Sequence, residues 1–464
     1  MSAKPSEARS CPAVLPRPDP FRLLLLAVLL GVIGALGCGA PERPNLVVLL
    51  VDTLRADHLG YAGHVRPASP RIDALAAESF VFLEHHANAS RTGPSVATLF
   101  TGLHPRSHGV LNPLTHWDAK GTLAASQLTL AEVLAEHGYE SHGFTGNLNA
   151  APRFGFDQGF DEYRFVESES AGDINALALE ALAGASEPFY LHLHYMEPHS
   201  TYAAPERYRA FWTDAAYDGP LTGDHAQLDE IVAGKLAVED ADVERLRVLY
   251  DQEIRYLDDR LAELLDGLAA AGHADDTILV FVSDHGEEFL EHGSALHGYT
   301  LYDEQLRVPL LIHDPRRPAG RRIEAPTRQV DVLPTVLELL GIEHGGGLQG
   351  RSLVPLFDAE PTSPPPPLFA EASLRAVKTV KLRSLTWEGW KLIEHRLPRP
   401  RVELYHLDDD PGEQRDLAEA EPERARAMRA QLRAFAESLP EGQPGRVKLS
   451  AEEAERLREL GYLE

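Results

Sequence analysis

Two continuous apolar runs in the chain each end abruptly on a carboxylate. Asn45 to Val51 (NLVVLLV) stops at Asp52, and Thr277 to Ser283 (TILVFVS) stops at Asp284. Runs rich in β-branched residues and free of polar alternation predict parallel strands covered on both faces. Between them, TLAEVLAEHGY predicts a helix with Gly138 as its C-cap, and PFYLHLHYM, Pro188 to Met196, predicts a further strand. Strands alternating with helices over some 300 residues predict an α/β fold built on an open, mainly parallel sheet.

Val96, Leu99, Phe100 and Leu103 fall at helical spacing, so a helix is expected to start near Pro94 and to end near Gly102. Thr92 then stands at or just before a helix N-terminus, where unpaired N–H groups and the dipole favour an anion.

HGGGLQG (His344 to Gly350) and PTSPPPP (Pro361 to Pro367) have loop or linker composition. Beyond them GWKLIEH and VELYHL read as short strands, and Met428, Leu432, Phe435 and Leu439 as one face of a helix. LSAEEAERLRELGYLE places Ser450 and Glu453 in capping-box register before a Gly-Tyr stop. The division expected is a catalytic domain over 43–355, a small α+β subdomain over 368–440 and a tail helix within 441–464.

The amino terminus carries four bases and then the 14-residue apolar run Leu23 to Leu36. As a helix the run spans roughly 21 Å, short of a ~30 Å hydrocarbon core, and so reads as a signal-peptide core. ALGC, Ala35 to Cys38, resembles a bacterial lipobox. Residues 1–38 are therefore expected to be a signal peptide ending in a lipidated Cys38, giving an exported, periplasmic or cell-surface protein tethered to the membrane. The other cysteine, Cys11, lies in the same segment, so the folded part has no disulfide framework. The net charge of −27 argues against a protein that tracks nucleic-acid phosphates.

Strands of a parallel sheet deliver their carboxyl ends to one edge, where ligands collect. Asp52 and Asp284 both sit at such ends, His285 follows directly, and Gly286 permits a sharp turn. Two carboxylates and an imidazole suit one divalent cation such as Zn, Mn or Ca. The helix end alone lowers a hydroxyl pKa by roughly 1.5 units. A metal lowers that of a coordinated oxygen by roughly nine. Thr92 is thus expected to act as a nucleophile only beside a cation held by Asp52, Asp284 and His285, and otherwise as a helix cap. His199 lies just past the strand ending at Met196, and His292 and His297 lie in a Gly-punctuated loop after Asp284. Loop histidines of this kind bind a charged ester or protonate its leaving oxygen. His85, His86, His192 and His194 read as surface or packed residues.

Together these segments resemble the sulfatase family of the alkaline phosphatase superfamily. PNLVVLLVDTLRADHLG resembles its first metal strand, TGPSVATLFTGLHPRSHGV its nucleophile helix, and MEPHSTYAAPERY its substrate-histidine loop. VSDHGEEFLEHGSALHGYTLYDEQLRVPL resembles its second metal strand, VDVLPTVLELLGI and LQGRSLVPLF its later segments, and ELYHLDDDPGEQRDLA its C-terminal subdomain. The resemblance implies a large α/β domain with a mostly parallel sheet and a small α+β domain. It implies Asp52, Asp284 and His285 as metal ligands, Thr92 at the nucleophile position and as a further ligand, and His199 and His297 as substrate contacts. His297 stands where many members carry Lys, and is a candidate acid for the leaving group.

The departures shape the expected chemistry. Thr92 replaces the Cys or Ser that becomes formylglycine, so no formylglycine is expected. Val96 replaces an Arg, Thr53 a frequent second acid, and FTGNLN (Phe144 to Asn149) a segment that usually carries Lys and His. What remains resembles superfamily members in which threonine attacks phosphorus. The expectation is a hydrolase or transferase of phosphate esters or diesters. The alternatives are a sulfuric-ester hydrolase without formylglycine and an inactive, ligand-binding relative.

Overall fold

The computed structural model describes residues 43–111, 119–212, 217–318, 320–344, 346–360, 364–375 and 379–459. The segment expected to be a signal peptide, with Cys38, and the final Gly-Tyr stop lie outside these residues. The main sheet has eight strands: β1 (Asn45–Val51), β2 (Phe80–Phe82), β3 (Glu140–Thr145), β4 (Glu162–Phe165), β5 (Phe189–Tyr195), β6 (Thr277–Ser283), β7 (Leu310–His313) and β8 (Arg322–Ile323). They lie in the order β8-β2-β7-β6-β1-β5-β3-β4. β7 runs antiparallel to both of its neighbours, and every other pairing is parallel.

Burial on both faces explains the unbroken apolar runs. All seven residues of β1 and all seven of β6 are buried. Val47, Leu49 and Val51 pack with Phe281 on one face, against α2 (Asp240–Ala270). Leu46, Leu50, Val280 and Val282 pack on the other face with Val96 and Phe100 of α1 (Thr92–Thr101). Each such side chain contributes about 1.5–3 kcal/mol relative to exposure. Helix α1 begins two residues before Pro94, with Arg91 at its N-cap, and ends at Gly102, whose φ of +63° suits glycine. Leu103 therefore falls outside the helix it was expected to continue.

The C-terminal sheet is an antiparallel meander of β9 (Leu368–Arg375), β10 (Thr379–Trp387), β11 (Trp390–Leu397) and β12 (Arg401–His406). The sequence pattern predicted the last two strands and missed the first two. Helix α3 (Pro422–Ser438) covers one face, where Met428 and Leu432 pack on Phe369, Leu385, Leu392 and Leu404. This unit also braces the loop ahead of α1. Asn88 Nδ2 donates to the Phe369 carbonyl at 2.8 Å, and the Glu371 N–H donates to the Asn88 carbonyl at 3.0 Å.

The tail is more than the expected helix. Gly445–Lys448 pairs antiparallel with Ala119–Thr122, and only then does the helix Ala451–Glu459 follow. Leu449, Ala454 and Leu457 are buried in the same core layer as Phe100.

Candidate active site and metal centre

Strand register brings the two acids together. Val51 is paired with Ser283 and with Tyr195, so Asp52 and Asp284 are the first residues past adjacent strands at one level of the sheet. Thr53 turns the chain with φ +54°, and its N–H donates to Asp284 Oδ1 at 3.1 Å; the His285 N–H donates to the same oxygen at 2.8 Å. Gly286 has no room for a side chain, because a Cβ would lie 2.1 Å from the Glu304 carbonyl oxygen. The backbone therefore turns back immediately and leaves the His285 ring over the strand end. His285 Nδ1–H donates to the Gly286 carbonyl at 3.0 Å, which leaves Nε2 available to a cation. That nitrogen stands 3.3 Å from Asp284 Oδ2 and 3.9 Å from Asp52 Oδ1.

The cluster includes a residue that the sequence reading set aside as packed or surface. His194, on β5, places Nε2 at 3.2 Å from Asp52 Oδ2 and is anchored through Nδ1 to Thr145 Oγ1 at 3.1 Å. Ligand atoms of Asp52, His194 and Asp284 all lie within 4.8 Å of one another. An alternating pattern would place His194 on one sheet face, but its position one residue from the strand end puts its ring at the site. Asn147, just past the end of β3, was also missed: Nδ2 donates to Asp52 Oδ2 at 2.5 Å and lies 3.5 Å from Thr92 Oγ1. A third strand end, at the same sheet edge as those of β1 and β6, was the available signal. His85 and His192 are packed as expected, with His85 Nδ1 3.0 Å from Thr327 Oγ1 and the His192 ring edge-on to Phe100.

The donor set fits a divalent cation. Asp52 Oδ1 and Asp284 Oδ2 are buried and accept no hydrogen bond among the described residues. Two buried carboxylates without such partners are costly unless a cation neutralises them. In the protein alone, burial and then the charge of Asp52 hold the Asp284 carboxyl well above its ordinary range. For Asp52 burial also works upward, but His194, His199 and His285 outweigh it and bring the carboxyl to about 2. Burial lowers His285, keeping it neutral as a ligand must be.

Thr92 is the first residue of α1, and its Oγ1 stands 3.4 Å from His285 Nε2. The N-cap of α1 is Arg91, so Thr92 does not occupy the capping position, and its hydroxyl instead faces His285 and Asn147. His297 and His199 complete the group. Their ring centroids are 5.2 Å apart, and His297 is 4.4 Å from the His285 ring. His199 Nδ1–H donates to the Ser200 carbonyl at 2.6 Å, and His297 Nδ1 pairs with Glu287 Oε1 at 3.1 Å. Burial first, and for His297 then the neighbouring His285, lowers both imidazoles. His292 is turned away: it pairs with Glu304 at 2.6 Å and stacks on Tyr302.

Comparison with known proteins matches the whole frame. A family model described as Sulfatase covers residues 44–342, and one described as N-sulphoglucosamine sulphohydrolase, C-terminal, covers residues 291–438. A sulfatase of Formosa agariphila is 25% identical over 370 residues, covering 68% of this chain and 72% of its own. The multifunctional alkaline phosphatase superfamily protein PehA of Trinickia caryophylli is 26% identical over 404 residues, covering 68% of this chain and 77% of its own. The solved phosphonate monoester hydrolase of Agrobacterium radiobacter superposes with a TM-score of 0.71 at 21% identity, over 88% of this chain and 100% of that one.

Proposed function

Because the chain belongs to the sulfatase family of the alkaline phosphatase superfamily, hydrolases of sulfuric or phosphoric esters, we propose that it is a metal-dependent hydrolase of phosphate esters or diesters with Thr92 as its nucleophile. One observation carries this reading: Thr92 Oγ1, at the first position of α1, faces His285 Nε2 at 3.4 Å beside two buried carboxylates with unpaired oxygens. Asp52, Asp284, His285 and His194 would hold the ion, with Thr92 at its edge. A divalent ion there supplies positive charge that lowers the pKa of a neighbouring hydroxyl and offsets the charge of ester oxygens.

The chain's own residues divide the remaining work. Asn147 Nδ2, within reach of both Asp52 and Thr92, fixes the orientation of the nucleophile's oxygen. The free N–H groups at the start of α1 receive the equatorial oxygens of the ester. Thr92 Oγ1 gives its proton to solvent water and bonds to phosphorus as the ester P–O bond breaks, and His297 or His199, once protonated beside the anionic ester, gives that proton to the departing alkoxide. Water then cleaves the phospho-threonine and restores the hydroxyl. Transfer to an alcohol is the same step with a different acceptor. The catalytic domain is assigned to 43–355 and the subdomain to 368–440, the latter bracing Asn88 ahead of α1.

The test compares wild type and Thr92→Ala on an aryl phosphate, an aryl phosphodiester and an aryl sulfate, with metal content measured on both. Loss of phosphoester turnover with metal retained supports the reading. Turnover that survives the substitution removes the nucleophile. Faster sulfate than phosphate turnover moves the assignment to a sulfuric-ester hydrolase, and an intact protein that binds no metal moves it to a ligand-binding relative.

Export and tethering through Cys38 are proposed on the Leu23–Leu36 run and the ALGC segment. Detergent partitioning of Cys38→Ser decides this: wild type enters the detergent phase and the variant stays in water. Equal partitioning overturns the anchor.

A further inference from the structure

A cleft of about 390 Å3 adjoins the candidate catalytic centre, with His199 and Ser200 in its wall. Its volume falls in the range of small-ligand pockets, roughly 300–1,000 Å3. Three carboxylates stand in the rest of its lining, among small apolar and hydroxyl side chains and His225. Glu169, Glu197 and Glu253 face it together with Tyr256, and neither Lys nor Arg lines it among the described residues.

The three carboxylates are not equivalent. Glu169 is already paired, since Arg456 lies 2.8 Å from its Oε1. Glu253 is 5% exposed and has no ion-pair partner within 4 Å among the described residues. Glu197 accepts the Ala171 N–H through Oε1 at 3.1 Å, while its Oε2 is buried and accepts no hydrogen bond among the described residues. A buried carboxylate oxygen without a donor at the wall of a cleft is an acceptor for a ligand. Burial first, and then a neighbouring carboxylate, push Glu197 up to about 7 and Glu253 up to about 8. A cation entering the cleft would relieve both.

The neighbouring centre is built for an anion, so an acidic cleft against it repels the phosphoryl end of a substrate and suits the other end. We propose that the cleft is the leaving-group pocket and takes an alcohol that carries an ammonium group. This rests on the phosphoester reading for its place in the reaction, but the recognition itself is measurable without turnover. Glu197 and Glu253 provide the charge, and Tyr256 provides an aromatic surface at which a cation is favoured.

The experiment measures calorimetric binding of choline and ethanolamine to the intact protein, against the uncharged 3,3-dimethylbutanol and propanol. The charged alcohols are expected to bind at least tenfold more tightly than their isosteres in wild type. The difference should shrink below threefold in the isosteric double variant Glu197→Gln/Glu253→Gln. Equal binding of charged and uncharged alcohols to wild type overturns the inference without reference to any variant. Hydrolysis of the corresponding phosphate esters is scored separately. If none is cleaved, the phosphoester reading fails while the binding difference still decides the pocket. If all are cleaved at equal kcat/KM and no alcohol discriminates in binding, the pocket fails and the phosphoester reading stands.

Discussion

Asp52 and Asp284 leave neighbouring parallel strands at the same level, because Val51 is in register with Ser283. The pair is therefore fixed by the sheet and not by loop conformation. Buried side by side without a cation, the two acids oppose each other, and Asp284 is held well above its ordinary range. Chelation should accordingly lower the melting temperature, and added Zn, Mn or Ca should raise it. An ion at a hundred times its Kd adds about 2.7 kcal/mol. Scanning calorimetry with and without chelator measures this. An unchanged transition would mean that no ion binds the folded state.

Thr92→Ala should lower kcat on an aryl phosphate by about a thousandfold or more, the scale on which removing a nucleophile acts. Stability should fall by less than about 1 kcal/mol, because the hydroxyl's contacts to His285 and Asn147 are long, at 3.4 and 3.5 Å. Thr92→Ser should retain part of the activity, since it preserves the oxygen. Steady-state kinetics and a urea titration of each variant separate the two effects.

His194→Ala should weaken metal binding by roughly 10–100-fold, the usual cost of losing a group that ligates or orients a ligand. Its Nε2 holds Asp52 Oδ2, and its Nδ1 is fixed by Thr145. Metal titration by calorimetry is the measurement. Wild-type affinity in the variant would place His194 outside the centre.

The sequence made this site only partly legible, for physical reasons. Asp52, Asp284 and His285 announced themselves because a polar residue at the end of an unbroken apolar run has no packing explanation. Thr92 was placed by helical spacing alone, although the helix proved to start earlier than Pro94. His194 was hidden because a histidine inside FYLHLHY reads as one more buried strand residue, and only the β1–β5 register puts it against Asp52. Asn147 was hidden for a similar reason: the end of β3 carries a glycine and an amide in place of a charge. β9 and β10 went unread because LFAEASLR and TVKLRSLTW interrupt their apolar positions with charge, although Phe369 and Leu385 pack in the layer under α3 and Ala370, Ala372, Leu374, Val380 and Leu382 in the main core. The tail strand at Gly445–Lys448 has no apolar signature, and its partner lies more than 300 residues earlier.

Gly286→Ala should destabilise by about 3 kcal/mol or more, since the new Cβ would sit 2.1 Å from a backbone oxygen of Glu304. Metal binding should be lost with it, because the same turn aims His285. Denaturant midpoints and metal content are read on one preparation. A variant of normal stability would mean that the turn is freely adjustable.

His292 links the loop after Asp284 to the C-terminal unit through Glu304 and the Glu413 carbonyl. Burial works to lower its pKa, but the hydrogen bond and charge of Glu304 outweigh it and raise it to about 9. The folded value lies above the unfolded one, near 6.5, so the stabilisation is complete below pH 6.5 and is lost as pH rises through about 9. It amounts to about 1–2 kcal/mol. The unfolding free energy of wild type minus that of His292→Gln should shrink between pH 6 and pH 10. A difference constant with pH would show that the imidazole is not charged in the folded protein.

Leu449, Ala454 and Leu457 fill the layer beneath α1 from the last few dozen residues of the chain. The helix that presents Thr92 therefore finishes packing only when this far-downstream segment has docked against it. Removal of the segment from Arg446 onward should leave the strands intact with α1 loosely seated, seen as faster amide hydrogen exchange in α1 than in β1 and β6.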